Sequence, residues 1–205
     1  MKLYTWKTPN GYKVPILLEE LGAEYEIVAV NLDKGEQKTP EFLAMNPNHK
    51  IPVLVDEGLT LFESGAILIY VADKFGKFLP AEGSARYVAL EWLMFQMANV
   101  GPFFGQVNHF RKQGEKGAYA VEHFLDETKR VMGVLETRLS QVPYLAGEYG
   151  IADIATWPWV RNAQSKGNTD VSQFPAVERW YKAIENRDAV KRAIEKVDAA
   201  AAAKQ

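Results

Sequence analysis

Apolar and polar side chains alternate with two different periods along the first 80 residues of the chain. The stretches 3–6 and 25–31 have the short apolar pattern of β-strands, and the apolar positions between them recur at helical spacing until Gly22. The further elements predicted in this part are a helix over 40–45, strands over 51–55 and 59–62 joined by a turn at 56–58, and a helix over 63–75. The order β-α-β-α-β-β-α predicts a mixed sheet whose first two strands are parallel and joined by a right-handed crossover.

Beyond residue 80 the apolar positions follow a helical period. We place a linker at 81–84, in a stretch over 79–84 that contains Pro80 and Gly83 and has no apolar period. The predicted helices cover 85–110, 119–140, 151–165, 174–185 and 187–203. Gly101-Pro102 lies inside the first of them, and we expect a kink or a break there because proline lacks an amide hydrogen. The pattern predicts an α/β domain over 1–80 followed by an all-helical domain over 85–205.

Composition and charge narrow the class of protein. The chain has 205 residues, of which 47% are hydrophobic and 24% charged, so it can bury a globular core. Its 24 basic and 26 acidic residues give a net charge of −2 without a run of five like charges, and we expect no nucleic acid or membrane surface as partner. The sequence also lacks a signal-peptide pattern and a long apolar stretch, which favours a cytoplasmic protein.

The chain contains no cysteine. A disulfide framework, thiolate metal ligands and a protein thiol nucleophile are therefore excluded, and any sulfur chemistry needs a thiol that arrives with a ligand. The three histidines, His49, His109 and His123, show no metal-ligand spacing, so we expect no metal site.

Two short motifs in the first domain are candidates for ligand binding. Ile51-Pro52 stands at the start of a strand, and Glu63-Ser64 stands at the start of a helix. Taken singly, the first is typical of an edge proline and the second of a capped helix start. Together, the pattern NPNHKIPVL at 46–54 followed by LFESGAI at 61–67 resembles the signature of the glutathione transferase family.

The resemblance implies how glutathione, an extended tripeptide, would bind. A cis peptide bond before Pro52 would expose the backbone of Ile51, so that the ligand pairs with it as an added strand. Ser64, at a helix N-terminus, would bind the γ-glutamyl carboxylate, and Glu63 would bind the ammonium. The family positions that hold the glycine end of the ligand correspond to Gln37 and Lys50, although either could be a solvated loop residue.

The same resemblance points to the residues that would face the ligand's sulfur. The segment TPNG at 8–11 resembles the bacterial nu class, in which a threonine hydroxyl and an asparagine face the thiol. Hydrogen bonds from Thr8 and Asn10, together with a helix N-terminus, would lower the pKa of the bound thiol from about 8.5. Both residues could instead cap the helix. Tyr4 and Tyr12 are alternative thiol donors that we rank below Asn10.

Two further features of the helical part match nu-class positions. Arg130 corresponds to a guanidinium that contacts the glutathione site, although an exposed ion pair with Glu127 or Asp126 is an equal alternative. An aromatic segment follows the predicted kink and would form the pocket for the second substrate, although such residues are often simple packing. Its candidate residues are Phe103, Phe104, His109 and Phe110.

The resemblance covers nearly the whole chain. It implies an α/β thioredoxin-like N-terminal domain followed by an all-α C-terminal domain, in a homodimer with the site between the domains. The implied function is a glutathione transferase that uses the bound thiolate on electrophiles, disulfides or organic hydroperoxides, with disulfide-bond reduction and peroxidase activity prominent. Because the chain lacks cysteine, disulfide reduction would need a second glutathione. The alternatives are a non-catalytic interaction module that has kept the fold and a carrier for apolar ligands.

Overall fold

The computed structural model describes residues 1–204, which form two compact units. The first unit comprises Met1–Leu79 together with the described residues from Glu185 onward, and the second comprises Pro80–Ile184. The elements of the first unit up to residue 79 are β1 (Lys2–Thr5), α1 (Pro9–Leu21), β2 (Glu26–Ala29), a 3₁₀ turn (Glu36–Lys38), α2 (Pro40–Met45), β3 (Val53–Asp56), β4 (Leu59–Phe62) and α3 (Ser64–Phe75).

The four strands form one mixed sheet in the order β2-β1-β3-β4. β1 and β2 are parallel, whereas β3 is antiparallel to both β1 and β4. Leu3 lies opposite Ile27 on one side and Leu54 on the other, and both Leu3 and Leu54 are buried in the core. The predicted α/β thioredoxin-like architecture of the N-terminal domain is confirmed.

The second unit is built from helices. They are α4 (Gly83–Phe95), α5 (Gly101–Arg111), α6 (Ala118–Leu139), α7 (Ile151–Ser165) and α8 (Pro175–Glu185), the last of which ends at the boundary with the first unit. Asp153, fully buried in the first turn of α7, accepts hydrogen bonds from the Gly150 and Leu145 amides and from Trp180 Nε1. Burial raises the pKa of Asp153 to about 6, although the hydrogen bonds from these three donors lower it. The all-helical character predicted for this part is confirmed.

The long helix predicted over 85–110 is interrupted, as expected, close to Gly101-Pro102. A π-helical turn over Gln96–Val100 separates α4 from α5, and Pro102 lies in the first turn of α5, where its missing amide hydrogen is tolerated. Within the described residues 1–204, none of the helices combines the length and the apolar character that a membrane-spanning segment requires.

The last helix, α9 (Asp188–Ala202), belongs to the first unit, which differs from the predicted domain over 85–205. Residue 205 itself lies outside the described residues. The face of α9 that carries Ala189, Val190, Ala193, Val197 and Ala201 is buried, and α9 packs on α1. The first unit is therefore assembled from both ends of the chain.

Ion pairs on α1 complement the apolar contact with α9. The carboxylate of Glu19, only 8% exposed, accepts hydrogen bonds from Arg192 and Lys196 of α9 and from the Tyr25 hydroxyl. Arg187 forms a bidentate ion pair with Glu20, in which Nε donates to Oε1 at 2.5 Å and Nη2 donates to Oε2 at 2.8 Å. Burial works against the charge of Glu19, but the hydrogen bonds from Lys196, Arg192 and Tyr25 hold its pKa below the ordinary value.

Candidate functional site

The pairing of the strands brings the predicted binding segments to one edge of the sheet. Thr5 lies opposite Ala29 in the parallel pair, Tyr4 lies opposite Val53, and Val53 lies opposite Phe62. The chain therefore leaves β1, β2 and β4, and enters β3, at the same edge. The candidate residues carried by these four segments are Thr8, Asn10, Gln37, Lys50, Ile51, Pro52, Glu63 and Ser64.

The loop before β3 is held by Asn46, which is 2% exposed. Its side chain donates to the Lys50 carbonyl at 2.6 Å and accepts from the Asn48 amide at 2.9 Å. The bond between Ile51 and Pro52 is cis, as the sequence signature implied. Ile51 is 8% exposed, and Lys50 is exposed beside it.

Ile51 belongs to a buried cluster that joins three of these segments. The cluster also contains Trp6 after β1, Val30 after β2 and Ala201 of α9. The other members are Ala29, Phe42 and Val53. The cluster fixes the backbone of Ile51 relative to the loop that carries Thr8 and Asn10.

The start of α3 carries Glu63 and Ser64. Glu63 precedes the helix with φ 70° and ψ 112°, a region that side chains other than glycine rarely occupy. Such backbone outliers are concentrated at ligand-binding sites. Ser64 is 5% exposed, and its Oγ accepts a hydrogen bond from Lys13 Nζ at 3.2 Å.

Lys13 is the functional candidate that the sequence pattern did not reveal. It lies on the buried face of α1 and is 1% exposed. Burial lowers the pKa of Lys13 to about 7, and the charge of Glu63 opposes this shift only partly. The available signal was its position four residues before Leu17, on the apolar side of the helix.

The start of α1 is packed tightly against the end of β1. Thr8 caps the helix, because its Oγ1 accepts from the Gly11 amide at 3.1 Å. A Cβ atom added at Gly11 would lie 1.9 Å from the Trp6 carbonyl oxygen, so only glycine fits there. Asn10 lies in the first helical turn and is half-buried. The capping role considered for Thr8 is thus present, and its hydroxyl proton remains a donor.

The two tyrosines ranked below Asn10 have other surroundings. Tyr4 packs against the cluster that contains Ile51. The Tyr12 hydroxyl donates to Asp198 of α9 at 2.6 Å.

Gln37 lies in the 3₁₀ turn after β2. Glu36 holds this turn, because it accepts from the Asn31 amide at 2.7 Å and pairs with Lys204 at 2.8 Å. Within residues 1–204, the buried Oε1 of Gln37 has no hydrogen-bond partner. A buried polar atom of this kind marks a position where a ligand can supply the missing group.

The candidate aromatic residues of the second unit form a cluster on α5 and α6, apart from one. Phe103 and Phe110 lie 6.2 and 5.8 Å, centroid to centroid, from Phe124 of α6, and His109 lies 5.1 Å from Phe110. Phe104 is 0% exposed in the core of the unit, so the prediction that it lines a pocket does not fit its position. Phe104 and His109 lie on different faces of α5, because Phe104 is buried and His109 is exposed.

Arg130 lies half-exposed on α6 in an ion pair with Glu127. Its guanidinium donates to both carboxylate oxygens of Glu127, at 3.2 Å to Oε1 and at 3.1 and 2.9 Å to Oε2. This is the structural alternative considered for Arg130. Among the described residues 1–204, no group of three histidine, aspartate or glutamate side chains could hold a metal ion.

Comparison with known families agrees with this arrangement. The profile of the glutathione S-transferase N-terminal domain matches residues 1–73, and that of the C-terminal domain matches residues 86–188. The chain belongs to the glutathione transferase family. The resemblance drawn from the two sequence motifs is confirmed.

Several relatives of this glutathione transferase are similar over almost their whole length. The disulfide-bond oxidoreductase YfcG of Escherichia coli K12 is 45% identical over 201 residues, which are 94% of this chain and 93% of the relative. A glutathione transferase family member from Pseudomonas fluorescens pf-5, solved with two glutathione bound, is 45% identical with a TM-score of 0.89, covering 95% and 92% of the two chains. A glutathione transferase from Pseudomonas putida, solved with one glutathione disulfide per subunit, is 40% identical with a TM-score of 0.88, covering 94% and 90%.

Proposed function

We propose that this glutathione transferase uses the thiolate of bound glutathione to reduce disulfides, and also to attack organic hydroperoxides and other electrophiles. The observation that carries the proposal is the convergence of four segments on one edge of the sheet. They supply a backbone edge, a helix N-terminus, a carboxylate and amide groups. These are the groups that an extended tripeptide with two carboxylates, an ammonium and a thiol needs.

The first unit provides the contacts for binding. The backbone of Ile51 beside Pro52 pairs with the extended ligand, and Ser64 with the amides of α3 binds the γ-glutamyl carboxylate. The exposed carboxylate of Glu63 binds the ligand's ammonium. Gln37 and Lys50 bind the glycine end. The orphaned Oε1 of Gln37, an acceptor that a backbone N–H of the tripeptide and not its carboxylate can satisfy, and the positive φ of Glu63 support a ligand in this place.

Thiol activation is assigned to the start of α1. Asn10 and the Thr8 hydroxyl donate hydrogen bonds to the sulfur, and the N-terminus of α1 adds a favourable potential for negative charge. Both effects stabilise the thiolate over the thiol, so the pKa of the bound thiol falls. As the helix cap, Thr8 accepts from the Gly11 amide, which leaves its hydroxyl proton available to the sulfur beside the Asn10 amide.

Disulfide reduction proceeds in two exchange steps because the chain itself has no cysteine. The bound thiolate attacks one sulfur of the substrate, which breaks the disulfide, forms a mixed disulfide and releases one thiolate that takes up a proton. A second glutathione thiolate then attacks the mixed disulfide, yielding glutathione disulfide and the second thiol. Relatives that hold two glutathione, or one glutathione disulfide, support a site of this size.

The second unit supplies groups for the co-substrate. The aromatic cluster of Phe103, His109 and Phe110 binds its apolar part. To bind a ligand carboxylate, Arg130 would have to give up its ion pair with Glu127. The free-energy cost of this exchange is small because the pair is solvent-exposed.

We also propose a homodimer in the cytoplasm. Large apolar side chains are exposed on β4 and α3 of the first unit and on α4 of the second. These side chains are Leu59, Phe62, Phe75, Tyr87 and Met94. The proposal assigns such groups to the subunit interface, because a contiguous apolar patch is typical of an association surface. Light scattering coupled to gel filtration tests the proposal, and a monomer at micromolar concentration would contradict it.

The activity is tested with bis(2-hydroxyethyl) disulfide and glutathione, with glutathione disulfide formation as readout. We expect turnover by the full chain and a fall in kcat of about 10- to 100-fold for Asn10→Ala, because a donor to the developing thiolate is lost. Gln113→Ala removes an exposed amide of the second unit and serves as control.

The outcomes distinguish the alternatives. Full activity of Asn10→Ala would contradict the role of Asn10, though not the function. Calorimetric binding of glutathione without turnover of this disulfide, of cumene hydroperoxide or of an aryl halide would favour the non-catalytic module. Binding of apolar compounds without glutathione binding would favour the carrier.

A further inference from the structure

A buried lysine side chain ends beneath the candidate site for the γ-glutamyl carboxylate. Lys13 Nζ lies 3.2 Å from Ser64 Oγ, and the Lys13 side chain is 1% exposed. An amine buried to this degree loses most of its hydration, which is costly for its charged form. A carboxylate bound at Ser64 would therefore stabilise the charged form of the Lys13 amine.

The charged groups around Lys13 come from the two helices that pack on α1. On the side of α3, Glu63 is the carboxylate that acts on Lys13. On the side of α9, Arg192 and Lys196 bind Glu19, and Asp198 accepts from Tyr12. These three charged residues of α9 are thus engaged with other residues of α1.

We propose that Lys13 is a positioning residue that takes up a proton when glutathione binds, so that its ammonium and the γ-glutamyl carboxylate hold Ser64 between them. This inference rests on the proposed function and deepens it. The ammonium donates to Ser64 Oγ, which orients the serine hydroxyl proton towards the ligand carboxylate.

The direction of the proton transfer follows from electrostatics. With a pKa of about 7, Lys13 is divided between neutral and charged forms near neutral pH before the ligand binds. A carboxylate bound at Ser64 favours the charged form and raises this pKa. The difference is made up by a proton from solvent, so binding becomes weaker as the pH rises above 7.

A ligand without a thiol isolates this proton from the one that thiolate formation releases. We would titrate the full chain with S-methylglutathione by calorimetry in buffers of different ionisation enthalpy, between about pH 6 and pH 8. We expect an uptake of roughly half a proton or more near pH 7.5 and almost none near pH 6, where Lys13 is already charged. The upper limit avoids titration of the ligand's own amine.

Substitutions assign the proton to Lys13. Lys13→Arg keeps a charge that does not titrate in this range, so we expect binding without proton uptake. Lys13→Met should lose the uptake and bind at least about tenfold more weakly, since it lacks both charge and donor. Lys77→Met removes an exposed lysine after α3 and should behave like the wild type. His49→Gln removes the histidine of the first unit and should retain the uptake.

Each result bears on a different statement. Binding without proton uptake by the wild type would overturn the inference and leave the proposed function standing. Uptake that persists in Lys13→Arg, or disappears in His49→Gln, would also overturn it. Absence of binding to S-methylglutathione and to glutathione would overturn the proposed function and the inference with it. The wild-type and His49→Gln measurements can still overturn the inference if a Lys13 variant does not fold.

Discussion

At the scale of single residues, the buried amine of Lys13 is proposed to favour ligand binding but lowers the stability of the fold. Its burial favours the neutral amine in the folded chain, whereas the same amine in the unfolded chain is hydrated and charged up to about pH 10. Folding near neutral pH therefore displaces a proton, and this lowers the free energy of unfolding. A bound carboxylate would reverse part of that loss.

We expect Lys13→Met to be more stable than the wild type at about pH 6, by roughly 1–3 kcal/mol, with a gain that shrinks as the pH rises to about 9. Between the folded pKa of about 7 and the unfolded value of about 10.4, the unfolded wild type binds more protons, so its stability rises with pH. Urea denaturation across this range measures the difference. Lys77→Met provides the control. If the free energy of unfolding of Lys13→Met and of the wild type changed with pH in parallel, Lys13 would be charged in the fold and the expectation would be wrong.

The sequence predicted some of the candidate site residues and did not point to others, for identifiable reasons. Pro52 and the Glu63-Ser64 pair stand in a motif whose spacing is specific, so their segments could be named in advance. Lys13 stood in no motif, and only its phase on the apolar face of α1 set it apart. Phe104 was taken with Phe103 because the resemblance assigned the aromatic segment as a whole. Neighbouring residues of a helix point about 100° apart, and Phe104 lies on the buried face of α5.

At the scale of elements, the strongest local signals gave the most accurate boundaries. Glycines in the left-handed region end α1 at Gly22 and α3 at Gly76, and Gly58 occupies the hairpin turn with φ 86°. The strand start predicted at residue 51 was two residues early, since Pro52 cannot donate to the strand ladder and β3 begins at Val53.

The contact between α1 and α9 depends on Glu19. We expect Glu19→Ala to lower the free energy of unfolding by about 1–2 kcal/mol at pH 7, because Arg192 and Lys196, each about half exposed, lose a common, largely buried acceptor. The pKa of Glu19 is lowered in the fold, so this contribution is complete above about pH 4.3 and is lost as the pH falls through the folded value. Glu24→Ala, at an exposed position beyond α1, is the matched control. Equal denaturation midpoints of Glu19→Ala and the wild type at neutral pH would rule out this role.

At the scale of the whole molecule, the order of elements predicted two domains but not their full membership. The apolar stripe of α9 predicts that this helix packs against another element of the chain. The stripe does not indicate which element that is. The assignment of α9 to the second domain followed sequence order alone. Its true partner is set by contacts of residues far apart in the chain, such as Arg187 with Glu20.

Removal of residues 185–205 tests this membership. We expect hydrogen exchange of α1 to become at least about tenfold faster, because its face towards α9 becomes solvent-exposed, while α6 and α7 of the second unit keep their protection. We also expect glutathione binding to be lost, since Ala201 and Lys204 no longer support Ile51 and Glu36. Removal of residue 205 alone is the control. Unchanged exchange of α1 in the truncated chain would show that the first unit is complete without α9.

The return of α9 to the first unit has a consequence for synthesis on the ribosome. Roughly a hundred residues separate the two parts of this unit, so at 5–20 residues per second the nascent N-terminal segment waits about 5–20 s for the helix that completes it. During that interval the apolar surface of α1 is a natural substrate for chaperones. A stop codon placed before α9 would for the same reason abolish the binding function proposed for residues 8–64.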